Sequence, residues 1–97
     1  MSDRISEKDL KNLVNWINEI TKNPTEQYTR DADGHFKANI GNYHLSFAYG
    51  GVTLHQMVND GGGVTTPLGG GYFTKRELYE KLHAFIRGIE AGKELKD

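Results

Sequence analysis

The 97-residue chain has no cysteine, only two prolines and one tryptophan, and its 12 Lys and Arg against 13 Asp and Glu leave a formal net charge of −1. Without cysteine there are no disulfides, no thiolate metal ligands and no cysteine nucleophile. Without a charge excess, a protein built mainly to coat DNA or an anionic membrane is excluded. No apolar run approaches the roughly 18 residues that a membrane span needs, and residues 1–8 lack the apolar core of a secretion signal. The expectation is a cytoplasmic protein without membrane contact. Domains commonly run to about 100–150 residues, so residues 1–97 are expected to form a single domain. What the chain has in surplus is glycine, at 12 residues.

Between Ser6 and Lys22, the residues Leu10, Leu13, Val14, Ile17 and Ile20 recur at helical spacing and predict a helix with one buried stripe, flanked by Trp16. Ser6 and Asp9 have the spacing of a capping box, Ile5 and Leu10 that of a hydrophobic staple, and Asn23-Pro24 stops the helix. From Glu26 to Val58 the period falls to two, and three turn signals divide the stretch into four antiparallel runs. Asp31-Ala32-Asp33-Gly34 fits a type I turn with a following bulge, and Gly41-Asn42 and Gly50-Gly51 fit two-residue hairpin turns. Counting outward pairs Ile40 with Tyr43, Tyr49 with Val52, Phe47 with Leu54, Ser46 with His55 and His44 with Met57. One face then carries Tyr28, Arg30, Phe36, Ala38, Ile40, Tyr43, Leu45, Phe47, Tyr49, Val52, Leu54 and Val58, and is expected to be the core, with Gln56 as its exception. The opposite face, with His35, Lys37, His44, Ser46, Thr53, His55 and Met57 among its members, is expected to meet water.

Thr74 and Glu77 form a second capping box, opening a helix with Leu78, Leu82, Phe85, Ile86 and Ile89 at helical spacing. Gly92 is the expected stop, residues 93–97 a charged tail, and Gly88 the site of a close contact with the first helix or with a second copy of the chain. The order α-β-β-β-β-α predicts an α+β fold: a four-stranded antiparallel meander with both helices packed on one face.

The connection 59–73 holds half of the glycines, Gly61, Gly62, Gly63, Gly69, Gly70 and Gly71, then Tyr72 and Phe73, and delivers the chain to a helix opening with Lys75 and Arg76. Glycine permits close backbone approach, aromatic and basic side chains anchor partners, and a helix N-terminus favours anions. These ten residues are the candidate binding site. No phosphate-loop or dinucleotide pattern is present, and a flexible surface loop is the plainer account of the glycines. Ser46 with His55 is the one nucleophile–base pairing, but no carboxylate is placed to orient the histidine. His44 and His55 are expected as diagonal neighbours in solvent; no metal site and no cofactor are expected, since a structural zinc ion takes four protein ligands. Parity sends the sheet's rings inward, against a stacking platform for single-stranded nucleic acid.

The segments Gly61-Gly62-Gly63, Gly69-Gly70-Gly71-Tyr72-Phe73-Thr74-Lys75-Arg76-Glu77-Leu78-Tyr79 and His83-Ala84-Phe85-Ile86-Arg87-Gly88-Ile89-Glu90 resemble small uncharacterised proteins of tailed bacteriophages. Those proteins share no assigned activity, so the resemblance, confined to residues 59–91, assigns no role to any residue. It implies a context: a phage-encoded factor acting in the host cytoplasm, in host interaction or anti-defence. The leading expectation is a non-catalytic protein that occupies the surface of a host or phage protein, or of its own copy. The alternative is a small-ligand binder that sequesters a nucleotide or other small anion on the glycine-rich loop and helix N-terminus. A hydrolase ranks third.

Overall fold

A computed structural model describes residues 4–96, so that residues 1–3 and Asp97 of the expected tail lie outside the described residues. The order is α1 (Glu7–Ile20), β1 (Tyr28–Arg30), β2 (Phe36–Ala38), β3 (Tyr43–Ala48), β4 (Gly51–Met57), β5 (Val64–Thr65) and α2 (Lys75–Lys96), an α+β arrangement. Both capping boxes form. The Ser6 hydroxyl accepts from the Asp9 N–H at 3.1 Å while the Asp9 carboxylate accepts from the Ser6 N–H at 2.9 Å, and Thr74 and Glu77 repeat the exchange at 3.1 and 2.8 Å. Each box satisfies N–H groups that have no acceptor inside the helix. α2 continues through Gly88 and Gly92 to Lys96, so Gly92 is not its stop. A Cβ on Gly88 would meet nothing within 4 Å, so no close contact with α1 explains that glycine. The extension has a use: the Lys93 ammonium donates to the Ile20 carbonyl at the end of α1, whose own last turn has no basic residue. A cation there complements the helix dipole.

β3, β4 and β5 form one antiparallel sheet in that order, while β1 and β2 form a separate two-stranded sheet. The expected single meander is therefore divided, and the reason lies at residues 41 and 42. The Asn42 N–H closes a turn on the Asn39 carbonyl at 3.1 Å, while Gly41 donates its N–H to the Met57 carbonyl at 2.8 Å and the Asn42 carbonyl accepts from the Met57 N–H at 2.9 Å, so the turn leads the chain onto β4 and not back onto β2. The wholly buried Asn42 side chain donates to the Pro24 carbonyl at 2.8 Å, tying the ladder to the end of the α1–β1 connection. The first hairpin forms as expected, with the Asp31 carboxylate accepting from the Asp33 and His35 N–H groups at 2.9 Å.

The core lies between the β3–β4 face and the two helices. Tyr43, Val52 and Leu54, with the partly buried Leu45, meet Leu10, Leu13, Val14 and Ile17 of α1 and Leu78, Leu82 and Ile86 of α2. Fully burying each such aliphatic side chain stabilises by about 1.5–3 kcal/mol. Tyr28, Arg30, Phe36, Ile40, Phe47, Tyr49 and Val58, expected inside, are exposed. Tyr28, Arg30 and Phe36 belong to the sheet that the helices do not cover, and Tyr49 lies in a turn. Conversely, Thr53 and Met57 on the other face are buried.

The outer edge of β3 is closed at one position by a side chain. Asn18, at 0% exposure, accepts from the Tyr43 N–H at 2.8 Å and donates to the Tyr43 carbonyl at 2.9 Å, as a neighbouring strand would. A single amide thereby satisfies two main-chain groups and fixes α1 to the start of β3.

Candidate functional site

The glycine-rich connection is laid along the free edge of β4 and held at both ends. Val64 and Thr65 pair with Met57 and Gln56, and Phe73 exchanges hydrogen bonds of 2.8 and 2.9 Å with Val52. Residues 53–55 on β4 thus face the longer stretch 66–72, which must bulge from the edge. The two glycine triplets fall at opposite ends of β4, roughly 20 Å apart at about 3.3 Å per strand residue. Gly62 lies near the Tyr28 hydroxyl, while Gly71 lies beside the β3–β4 turn.

That turn is the unexpected element. Ala48 pairs with Gly51, leaving Tyr49-Gly50 as the two-residue loop, with φ of 54° and 73°. Positive φ at both central residues matches the right-handed strand twist, but a tyrosine there bears about 1–2 kcal/mol that glycine would not. Gly51 is withheld from the turn because the incoming chain needs it: a Cβ at Gly51 would approach the Tyr72 Cβ to 2.9 Å and the Phe73 carbonyl oxygen to 3.0 Å. Close passage of residues 72 and 73 therefore moves the turn back by one residue. Face membership is unchanged, since the pairing shifts by two.

The result is an aromatic tip. Tyr49 is 95% exposed and meets Tyr72 edge to face, with ring centres 5.6 Å apart. The Tyr72 hydroxyl lies 3.5 Å from that of Ser46. Phe47, 48% exposed, closes the other side. Two shallow recesses flank Gly50 and Gly51: one of about 300 Å³ between Phe47, Val52, Phe73 and Lys75, and one of about 540 Å³ between Tyr49, Tyr72, Phe73 and Glu77. Phe73 forms part of both, with the Lys81 ammonium 4.9 Å from its ring centre. Of the ten residues singled out in the sequence, Gly71, Tyr72, Phe73 and Lys75 are brought together here, joined by Phe47, Tyr49, Gly50 and Gly51. Sequence reasoning assigned these four to core or turn, and only the Tyr72–Phe73 approach to Gly51 separates them from that assignment.

The expected anion-binding elements are the glycine triplets and the α2 N-terminus. The triplets are separated, the Asn59 side-chain oxygen accepts from Gly61 and Gly63 N–H groups at 3.0 and 2.9 Å, and the Glu77 carboxylate accepts from the Thr74 N–H at the start of α2. The Ser46–His55 pairing is replaced as well: Ser46 faces Thr53, and His55 faces His44. The outward rings Tyr28, Phe36, Phe47 and Tyr49 also remove the parity ground on which a stacking platform was set aside.

His44 and His55 are direct cross-strand neighbours, with ring centres 5.6 Å apart at 86°. Desolvation, then the neighbouring His55, push the His44 pKa below its ordinary value. No family model matches the chain, and neither curated proteins nor solved structures show significant similarity to it.

Proposed function

We propose that the chain is a non-catalytic protein-binding module whose contact surface is the β3–β4 tip together with Gly71, Tyr72, Phe73 and Lys75. The observation that carries this reading is Tyr49, held at a strained positive φ and 95% exposed, with Ala48 before it and Gly50 after it. Backbone strain kept at an exposed aromatic is a cost that folding does not require, and rigid tyrosines in such positions are common interface anchors. The apolar recess beside Lys75 suits a partner segment that presents a bulky apolar side chain next to a carboxylate. The phage resemblance suggests a host protein as the source of that segment. The nucleotide-sequestering alternative loses support to Glu77, whose carboxylate already takes the Thr74 N–H and puts negative charge at the start of α2.

Selection of displayed peptides against the folded protein tests this reading. Enrichment of sequences pairing a bulky apolar residue with Asp or Glu is expected, with at least tenfold weaker binding to Tyr72→Ala and Tyr49→Ala. Peptides that bind both variants as well as the parent would overturn it.

A further inference from the structure

His44 and His55 serve neither the core nor the proposed contact surface. The Asn42 amide determines how His44 is presented. Its NH2 donates to the Pro24 carbonyl at 2.8 Å, which turns its oxygen towards His44 Nδ1 at 3.0 Å. An amide oxygen only accepts, so Nδ1 carries the proton and Nε2 keeps its lone pair. Histidine metal ligands are held in this manner, with the non-ligating N–H bonded to an acceptor that is itself fixed. Asn42 is wholly buried, so its orientation is fixed. Among the described residues, neither His44 Nε2 nor either nitrogen of His55 has a hydrogen-bond partner.

The spacing also fits. Metal–nitrogen bonds of about 2.0–2.1 Å at a tetrahedral angle put two imidazole centres about 5 Å apart. The observed ring centres are 5.6 Å apart. Both histidines are partly exposed, so water can complete the coordination. Paired imidazoles suit zinc, nickel and copper, whereas magnesium and calcium take oxygen.

We propose that His44 Nε2 and a ring nitrogen of His55 form a solvent-open site for a divalent transition ion of the zinc and nickel class. The site is separate from the aromatic tip and does not depend on it. Its competitor within the chain is the exposed cluster Asp31, Asp33 and His35, whose ligand atoms lie within 4.8 Å of one another. There, one Asp31 oxygen is already committed to two backbone N–H groups.

Titration of the full chain with ZnCl2, and separately with NiCl2, followed by amide and histidine side-chain NMR, tests the proposal. One ion per chain is expected, with Ni2+ broadening centred on residues 44 and 55 and at least tenfold weaker Zn2+ binding in both His44→Gln and His55→Gln. Absence of binding at millimolar Zn2+, unchanged affinity in both variants, or broadening centred on Asp31, Asp33 and His35 would overturn it. Should either variant fail to fold, the Ni2+ broadening map of the unaltered protein decides alone.

Discussion

The two hairpins of this chain carry similar alternating sequences and meet opposite fates. β3–β4 lies under both helices and supplies Tyr43, Val52 and Leu54 to the core. β1–β2 turns the same kind of face outward, and its Tyr28 and Phe36 rings meet edge to face at 6.5 Å with the Arg30 guanidinium 5.6 Å from the Phe36 ring centre. An isolated two-stranded hairpin is at best marginally stable in water. Its side is closed by main-chain contacts such as the Ala38 N–H to the Asp60 carbonyl at 3.1 Å. Alternation thus defines a face, but what covers that face is decided by where the chain is free to turn.

Core truncation separates the hairpins most sharply. Leu54→Ala should cost about 2–5 kcal/mol through lost burial and the cavity left behind. Phe36→Ala, at a residue 69% exposed, should cost less than about 1 kcal/mol. Urea unfolding of the two variants checks this, and equal losses would erase the distinction. Next in size is Asn18→Ala, which strips the Tyr43 main chain of its two partners. Leaving these buried polar groups unsatisfied should cost on the order of 1–3 kcal/mol. Hydrogen exchange should show the Tyr43 amide losing protection, and unaltered protection would refute the capping role.

Local features were legible in the sequence. The helix stripes, both capping boxes and the Asp31 turn each rest on residues within a few positions of one another, so spacing alone specifies them. The division of the sheet was not, because the turn closed by the Asn42 N–H on the Asn39 carbonyl is followed by bonds from Gly41 and Asn42 to Met57, fifteen or more residues later. The aromatic tip was missed for the same reason. Gly50-Gly51 is the better local turn, and only the return of residues 72 and 73 reserves Gly51 for close packing. Four of the ten proposed site residues converge there, and the glycine triplets that drew attention as a unit are parted by the length of β4.

The capping boxes give a smaller and pH-dependent effect. Hydrogen bonds from the Ser6 and Thr74 backbones, then from their hydroxyls, hold the Asp9 and Glu77 carboxyls below their usual pKa. Groups with a lowered folded pKa contribute fully above the unfolded value, about 4, and lose that contribution as pH falls through the folded value. Stability should therefore decline below about pH 4. In Ser6→Ala and Thr74→Ala, each about 1 kcal/mol less stable at neutral pH, that decline should be shallower. Identical acid profiles for parent and variants, read by thermal unfolding, would contradict the assignment.

The smallest stability change bears most directly on function. Tyr49→Asn would create an Asn-Gly turn, relieving about 1 kcal/mol of left-handed strain while giving up about 0.5 kcal/mol of ring contact with Tyr72. The variant should unfold at slightly higher denaturant and bind the selected apolar–acidic peptide at least tenfold more weakly. Measuring both on one preparation tests whether the strained tyrosine is kept for contact. A more stable protein that has lost the peptide is the predicted result, and a more stable protein that binds it undiminished would contradict it.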